Sequence, residues 1–162
     1  MERSDGHQQA GPLGWSVQQR ELVIAHLPSL LGAALAYCGR HRRAERLVEE
    51  TLRTAAREAP DEDQPLTWLH THLWARFLDL GDEPDHTGPA SGHQPPHDDP
   101  GTLPAAITAL PPAARAAVHL VDVEGLSYAQ LARVLGMTTQ EAMAVLHAAR
   151  RQLIPTVTSH TG

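Results

Sequence analysis

Residues 110–153 read LPPAARAAVHLVDVEGLSYAQLARVLGMTTQEAMAVLHAARRQL, and this stretch decides the fold. It divides into three helices joined by two tight breaks. Pro111 and Pro112 suit a helix start, because a first-turn residue needs no backbone donor and the fixed φ of proline is already helical. The first helix is expected to run to about Val123 and stop at Glu124-Gly125, where glycine tolerates a left-handed exit. Ser127 then opens a second helix. Gln130, three residues on, completes a capping box in which each residue satisfies an orphan amide of the other. Leu131, Val134 and Leu135 form the apolar stripe of that helix, and Gly136 ends it. Thr138 and Glu141 repeat the capping-box spacing and start a third helix, with Ala142, Leu146, Ala149 and Leu153 on one face.

Two short helices separated by Gly136-Met137 match the helix-turn-helix arrangement, whose second member enters the DNA major groove. On that reading Thr138, Thr139, Gln140, Met143, Ala144 and His147 face outward from the third helix. Gln140 can both donate and accept at an adenine edge, and the threonine hydroxyls can bind phosphate or base. Arg133, Arg150 and Arg151 are the candidate phosphate contacts. A plainer reading makes these ordinary exposed helix residues, with Met143 and Val145 part of a protein interface.

The stretch also resembles a family. Leu110-Pro111, Glu124-Gly125-Leu126-Ser127-Tyr128, Leu131-Ala132, Leu135-Gly136 and Leu146-His147-Ala148-Ala149-Arg150-Arg151 are similar to region 4 of the extracytoplasmic-function sigma factors. In that family the region binds the upstream promoter element for RNA polymerase. Met143, Val145 and Ala148 stand where basic residues are common in the family.

Composition sets the frame around this stretch. At 162 residues the chain is one medium domain or two small ones. Aromatics are only 4%, and proline and glycine number 13 and 12, which suits small helical bundles with a loose connector. All 13 basic residues are arginine. One cysteine, Cys38, excludes an internal disulfide and fits a reducing compartment. No run of about 18 apolar residues is expected, and so no membrane span. The polar, glycine-containing start lacks the order of a signal peptide. A net charge of −6 argues against generic nucleic-acid binding. Its distribution softens that objection, since residues 81–102 hold five acids and no base, whereas 103–162 hold four arginines and three acids.

Upstream, residues 1–14 are expected to be disordered. From Ser16 to Cys38 the apolar residues Leu22, Val23, Leu27, Leu30, Leu31, Ala34 and Leu35 keep helical spacing. Pro28 is expected to kink or divide this helix, and Gly39 to end it. A second helix spans roughly Arg42 to Glu58, with Ala44, Leu47, Val48, Thr51, Leu52 and Ala55 facing inward. Its outer face interleaves glutamates and arginines at pairing distance. Residues 60–64 are expected to loop. A third helix runs from about Pro65 to Leu80 and carries Leu66, Trp68, Leu69, Leu73, Trp74, Phe77 and Leu78. The segments HLPSLLGAALAYCG, AERLVEETL and PLTWL resemble sigma region 2, which in the family grips the polymerase clamp and opens the downstream promoter element. By that resemblance Arg46, Glu49, Glu50 and Trp74 are the polymerase- or partner-binding candidates. Arg46 stands where the family usually has an aspartate. Trp68, Trp74 and Phe77 have the helical spacing more often found in a core, and of the three Trp74, which replaces a polar residue, is the one best suited to face a partner.

Residues 81–102 read as an acidic Pro/Gly/His linker, with a flexible-chain reach of about 25 Å. Pro155 is expected to end the last helix and leave 155–162 as a tail. His70 and His72, two apart, point to different faces, and with His86, His93 and His97 they match no compact metal set. Cys38 lies on an apolar helical face, as a small buried side chain rather than a nucleophile. No nucleotide fingerprint or hydrolase elbow is present.

The expected architecture is all-α. A region 2-like three-helix bundle over 15–80 and a region 4-like helix-turn-helix domain over 103–154 associate loosely. The resemblance implies a sigma-like transcription factor in the cytoplasm, without enzymatic chemistry, cofactor or metal. Its implied partners are RNA polymerase core, promoter DNA and an anti-sigma factor. The alternative is a degenerate sigma-like interaction module that binds an anti-sigma factor or polymerase without reading a promoter.

Overall fold

The computed structural model describes residues 17–58, 64–81 and 103–158. The expectations for 1–14, for the loop after residue 58 and for 82–102, including His86, His93 and His97, lie outside the described residues. Every regular element among the described residues is helical. In chain order they are α1 (Val17–Cys38), α2 (His41–Ala55), α3 (Pro65–Asp79), α4 (Leu103–Ala109), α5 (Pro112–Val118), a π-helical turn (His119–Val123), α6 (Tyr128–Leu135) and α7 (Thr139–Thr158).

α1 runs unbroken through Pro28, so the expected division does not occur. Pro28 and Ile24 are both exposed, so the carbonyl freed by the missing proline N–H lies on the solvent side of the helix. The same helix corrects a second expectation. Arg20–Cys38 is long and apolar enough, by length and composition, to cross a membrane, with a mean hydropathy of 1.5. One face of it is core: Leu30, Ala33 and Ala34 are fully buried and Tyr37 nearly so. α2 buries the face read from its spacing, Ala44, Leu47, Val48, Thr51 and Ala55. The Thr51 hydroxyl donates to the Leu47 carbonyl at 2.8 Å, which satisfies a buried polar group within its own helix.

α3 decides between the two readings of Trp74 in favour of the core. Instead of facing a partner, its ring is buried. It packs edge-on against Tyr37 with centroids 5.3 Å apart, and stacks with Phe77 at the same separation. An aromatic surface of that size is more stable against two other rings than in water. Trp68 is half-buried and lies against His72, with centroids 3.9 Å apart.

Two features of the second helical group depart from expectation. α4 (LPAAITA) was not read from the sequence. Its Ala106 and Ile107 pack on a small cluster of Leu110, Ala114, Ala149 and Leu153. In addition, α7 continues across Pro155 to Thr158 instead of stopping. Pro155 costs α7 the one bond that an N–H there would make to the Arg151 carbonyl, and only three residues follow it in the helix.

The expected loose association is also corrected. Leu30, Leu69 and Leu73 from the first group and Leu120, Leu131 and Val134 from the second belong to one continuous apolar core. Polar ties reinforce it. The Gln130 amide donates to the Thr67 hydroxyl at 3.2 Å, Arg133 donates to the Gln64 side chain at 2.9 Å, and Arg115 donates to the Tyr37 carbonyl at 3.2 Å. Arg115 thereby places a cation at the C-terminal end of α1, where the unpaired carbonyls favour one.

Because the core is shared, a truncation in one group is expected to destabilise the other. Leu131→Ala removes a fully buried side chain and should cost about 2–5 kcal/mol. In chemical denaturation, tryptophan fluorescence reports chiefly on α3, and the variant should lower its midpoint together with that of helicity. A fluorescence midpoint unchanged from the parent protein would show that the groups unfold independently.

Candidate nucleic-acid interface

The helix-turn-helix is built by local signals that all point one way. The Ser127 hydroxyl accepts from the Gln130 N–H at 3.3 Å, and the Gln130 side chain accepts from the Ser127 N–H at 2.9 Å. α6 closes on Gly136, whose φ of +68° is open to glycine at no steric cost. The Met137 N–H reaches the Ala132 carbonyl at 3.0 Å and the Gly136 N–H reaches that of Arg133 at 3.4 Å. This crossed pair is the Schellman arrangement and satisfies two carbonyls left over at the helix end. Thr138 and Glu141 then form the second box, with the Thr138 N–H donating to the Glu141 carboxylate at 2.8 Å and the Glu141 N–H to the Thr138 hydroxyl at 3.3 Å. Those bonds favour the ionised form and hold the Glu141 carboxyl below its ordinary range.

Packing fixes how α7 is presented. Ala142, Leu146, Ala149 and Leu153 are buried. The opposite stripe, Gln140, Ala144, His147 and Arg151, is exposed, as are Thr138 and Thr139. Met143 is half-buried, so it lies at the edge of the stripe. Two of the three candidate phosphate contacts are already engaged. Arg133 is exposed but bonded to Gln64 of the first group. Arg150 forms a two-pronged ion pair with Asp122, and this pairing holds its guanidinium even more firmly protonated than usual. Among the described residues Arg151 is exposed and carries neither an ion pair nor a side-chain hydrogen bond.

The candidate surface on the first group lies on α2. Arg46 and Glu49 are exposed and Glu50 is half-buried. Glu49 pairs with Arg53 one turn on, at 2.5 Å. At that exposure the pair contributes a few tenths of a kcal/mol, on the order of what such helix pairs provide. Trp74 does not join this surface.

One polar cluster was not read from the sequence. Where α1, α3 and the π-helical turn meet, the Ser29 hydroxyl donates to Glu124 at 2.5 Å and lies 3.0 Å from His70 Nε2. His119 Nε2 approaches the other Glu124 oxygen at 3.3 Å, off-line for a hydrogen bond. His70 is fully buried, and burial pushes its pKa down to about 4 against the pull of Glu124. His119 is lowered by burial too, opposed by Glu124. Burial also raises the Tyr37 phenol above its ordinary range, with Glu124 adding to the effect. Sequence separations of 41 and 95 residues hide this cluster from any motif reading. Among the described residues, no group of three or more His, Cys, Asp or Glu is placed to hold a metal ion. Cys38 is half-buried, and burial holds its thiol above the usual range despite Arg43 and Arg115.

Residues 101–153 match the family model described as sigma-70, region 4. Over 160 residues the chain is 31% identical to the ECF RNA polymerase sigma factor SigE of Mycolicibacterium smegmatis, spanning 87% of this chain and 62% of that protein. The chain is similar to the extracytoplasmic-function sigma factors and spans about three fifths of the length of that relative. Its sigma fold extends over both helical groups. It is similar to the sigma factor RpoE, solved in complex with the anti-sigma factor NepR from Bartonella quintana, with a TM-score of 0.67, 21% identity, and 88% and 98% of the two chains covered. It is also similar to CnrH, solved in complex with the cytosolic domain of CnrY, with a TM-score of 0.64, 18% identity, and 88% and 89% covered. The region 4 match spans α4, α5, α6 and α7 as far as Leu153, and the sigma family is not one of enzymes.

The capping of region 4 can be measured directly. Ser127→Ala removes the oxygen that receives the Gln130 amide and should lower stability by about 1 kcal/mol. Thermal unfolding by circular dichroism checks this, and an unchanged melting temperature would mean that water replaces the cap without loss.

Proposed function

We propose that this chain directs transcription initiation, with the α1–α3 group binding RNA polymerase core and α7 entering the major groove of an upstream promoter element. The observation that carries this reading is the exposed stripe of α7, Gln140, Ala144, His147 and Arg151, set on a doubly capped helix-turn-helix. Its roles divide by chemistry. Gln140 and the Thr139 hydroxyl offer donors and acceptors to base edges, and the Ala144 methyl can meet a thymine methyl. Arg151 is placed for a phosphate, and Arg133 and Arg150 can join it on exchanging Gln64 and Asp122 for DNA. Arg46, Glu49 and Glu50 on α2 are the residues we assign to the polymerase. The work is done by binding energy, and no covalent step is involved.

A second reading keeps the architecture and drops promoter recognition, leaving a module that binds an anti-sigma factor or polymerase. It is favoured by the internal engagement of Arg133 and Arg150 and by the lack of basic residues at Met143, Val145 and Ala148. An anti-sigma factor is a proposed partner under both readings.

Run-off transcription with purified core polymerase separates the two. A defined start site supports the first, and partner capture with no transcript supports the second. On a promoter duplex, Gln140→Ala should cost about 1–3 kcal/mol and relax the preference at one base pair, whereas Arg151→Ala should weaken binding to all sequences and reduce the salt slope by about 1. Equal losses on cognate and random DNA for Gln140→Ala would remove it from base readout.

A further inference from the structure

The junction of α1, α3 and the π-helical turn carries more than packing. Ser29 has a single hydroxyl hydrogen, and it is directed at the Glu124 carboxylate. The 3.0 Å contact between Ser29 and His70 Nε2 must therefore have the imidazole as donor. That fixes the neutral tautomer with hydrogen on Nε2, and leaves Nδ1 as the only place for a second proton. His70 Nδ1 is buried and has no hydrogen-bond partner. A proton placed there would be a buried cation without an acceptor, a state that proteins avoid by rearranging or by staying neutral. The groups that act on His70 are Glu124 and His119 from the second helical group and His26 from α1. α2 and α6, which also pack against α3, bring no charged group to bear on it. Nearby, Tyr37 is buried and Arg115 reaches the carbonyl of Tyr37. Gly32 allows the close approach, since a Cβ there would meet the His119 ring at 3.3 Å.

We propose that the His70–Ser29–Glu124 chain, with His119 beside it, is a proton-sensitive latch between the two helical groups, closed while His70 is neutral and released when His70 Nδ1 is protonated. Release would also free Gln130 and Arg133 from Thr67 and Gln64, uncovering polar groups on α6 and α3 together.

The sign follows from linkage. His70 is depressed to about 4 in the closed form and returns toward its ordinary value when hydrated. Stability of the closed form is therefore complete above about pH 6.5 and declines as pH falls from there towards 4. Between pH 7.5 and 5 the balance should shift roughly 25-fold to 30-fold towards the open form.

Small-angle scattering and far-ultraviolet circular dichroism of the full chain over that range, with the His70 ring signal followed by NMR, test the proposal. The expected result is an increase in radius of gyration at retained helicity, in step with protonation of His70. His70→Gln keeps a donor for Ser29 and cannot take up a proton, so it should stay compact at pH 5. Ser29→Ala weakens the chain and should open at higher pH than the parent. Expansion with His70 still neutral, expansion accompanied by helix loss, expansion of His70→Gln at the parental pH, or no expansion by pH 5 would each overturn the proposal. If His70→Gln does not fold, the NMR titration and Ser29→Ala decide alone.

Discussion

α3 is buried from two sides, and most of the architecture follows from that. Leu69 and Leu73 are fully enclosed, between α1 and α2 of their own group and α6 of the next. A small three-helix bundle with few aromatics buries little surface for its length, and small domains are marginal for that reason. Setting α6 against α3 extends the core across both groups, so that Leu131 and Val134 contribute to the same cluster as Leu30 and Tyr37. Polar groups at the seam are matched in turn. Gln130 serves twice, its oxygen capping α6 and its amide bonding Thr67, so the local capping signal and the tertiary contact reinforce each other.

The same seam shapes the electrostatics of the proposed DNA-binding face. Sequence charge gives the second group four arginines against three acids, but the geometry assigns three of those arginines to internal acceptors. Arg115 serves the Tyr37 and Thr108 carbonyls, Arg133 serves Gln64, and Arg150 serves Asp122. Phosphate binding depends on cations that can be transferred to the duplex. An exposed pair such as Arg150–Asp122 is worth little in water and exchanges readily. Arg133 differs, because reaching DNA means leaving the first group, which couples its availability to the distance between the groups.

Local grammar was legible in the chain, and long-range chemistry was not. Ser127 with Gln130, Gly136, and Thr138 with Glu141 each announce a helix boundary within five residues, and the structure makes all of those bonds. The exposed stripe of α7 follows from the 3.6-residue period once Ala142 and Leu146 are taken as core. Proline misled twice, because a missing N–H matters less on a solvent face at Pro28 and near a helix end at Pro155 than inside a packed helix. Trp74 misled because a family comparison suggested a surface position where two further rings, Tyr37 and Phe77, wait to enclose it. Arg150 read as a free cation because nothing in linear spacing reveals that Asp122, 28 residues earlier, lies beside it. The Ser29–His70–Glu124 chain is invisible for the same reason.

The π-helical turn shows how a small backbone irregularity creates that chain. In an α-helix, residues five apart point roughly 140° away from each other around the axis. With α-helical geometry, His119 and Glu124 could not both face α1. Widening to a five-residue bond, with the Glu124 N–H reaching the His119 carbonyl at 3.1 Å, sets the two residues one turn apart on the same side. His119 then meets Gly32 and Glu124 meets Ser29. The turn also ends the helix, so that Leu126 can enter the core and Ser127 can start α6. One extra residue in one turn thus positions both the helix-turn-helix and the acid that joins it to α1. A substitution that restored regular α-helical geometry there would withdraw the carboxylate from Ser29 and, by the same change of register, draw Leu126 out of the core.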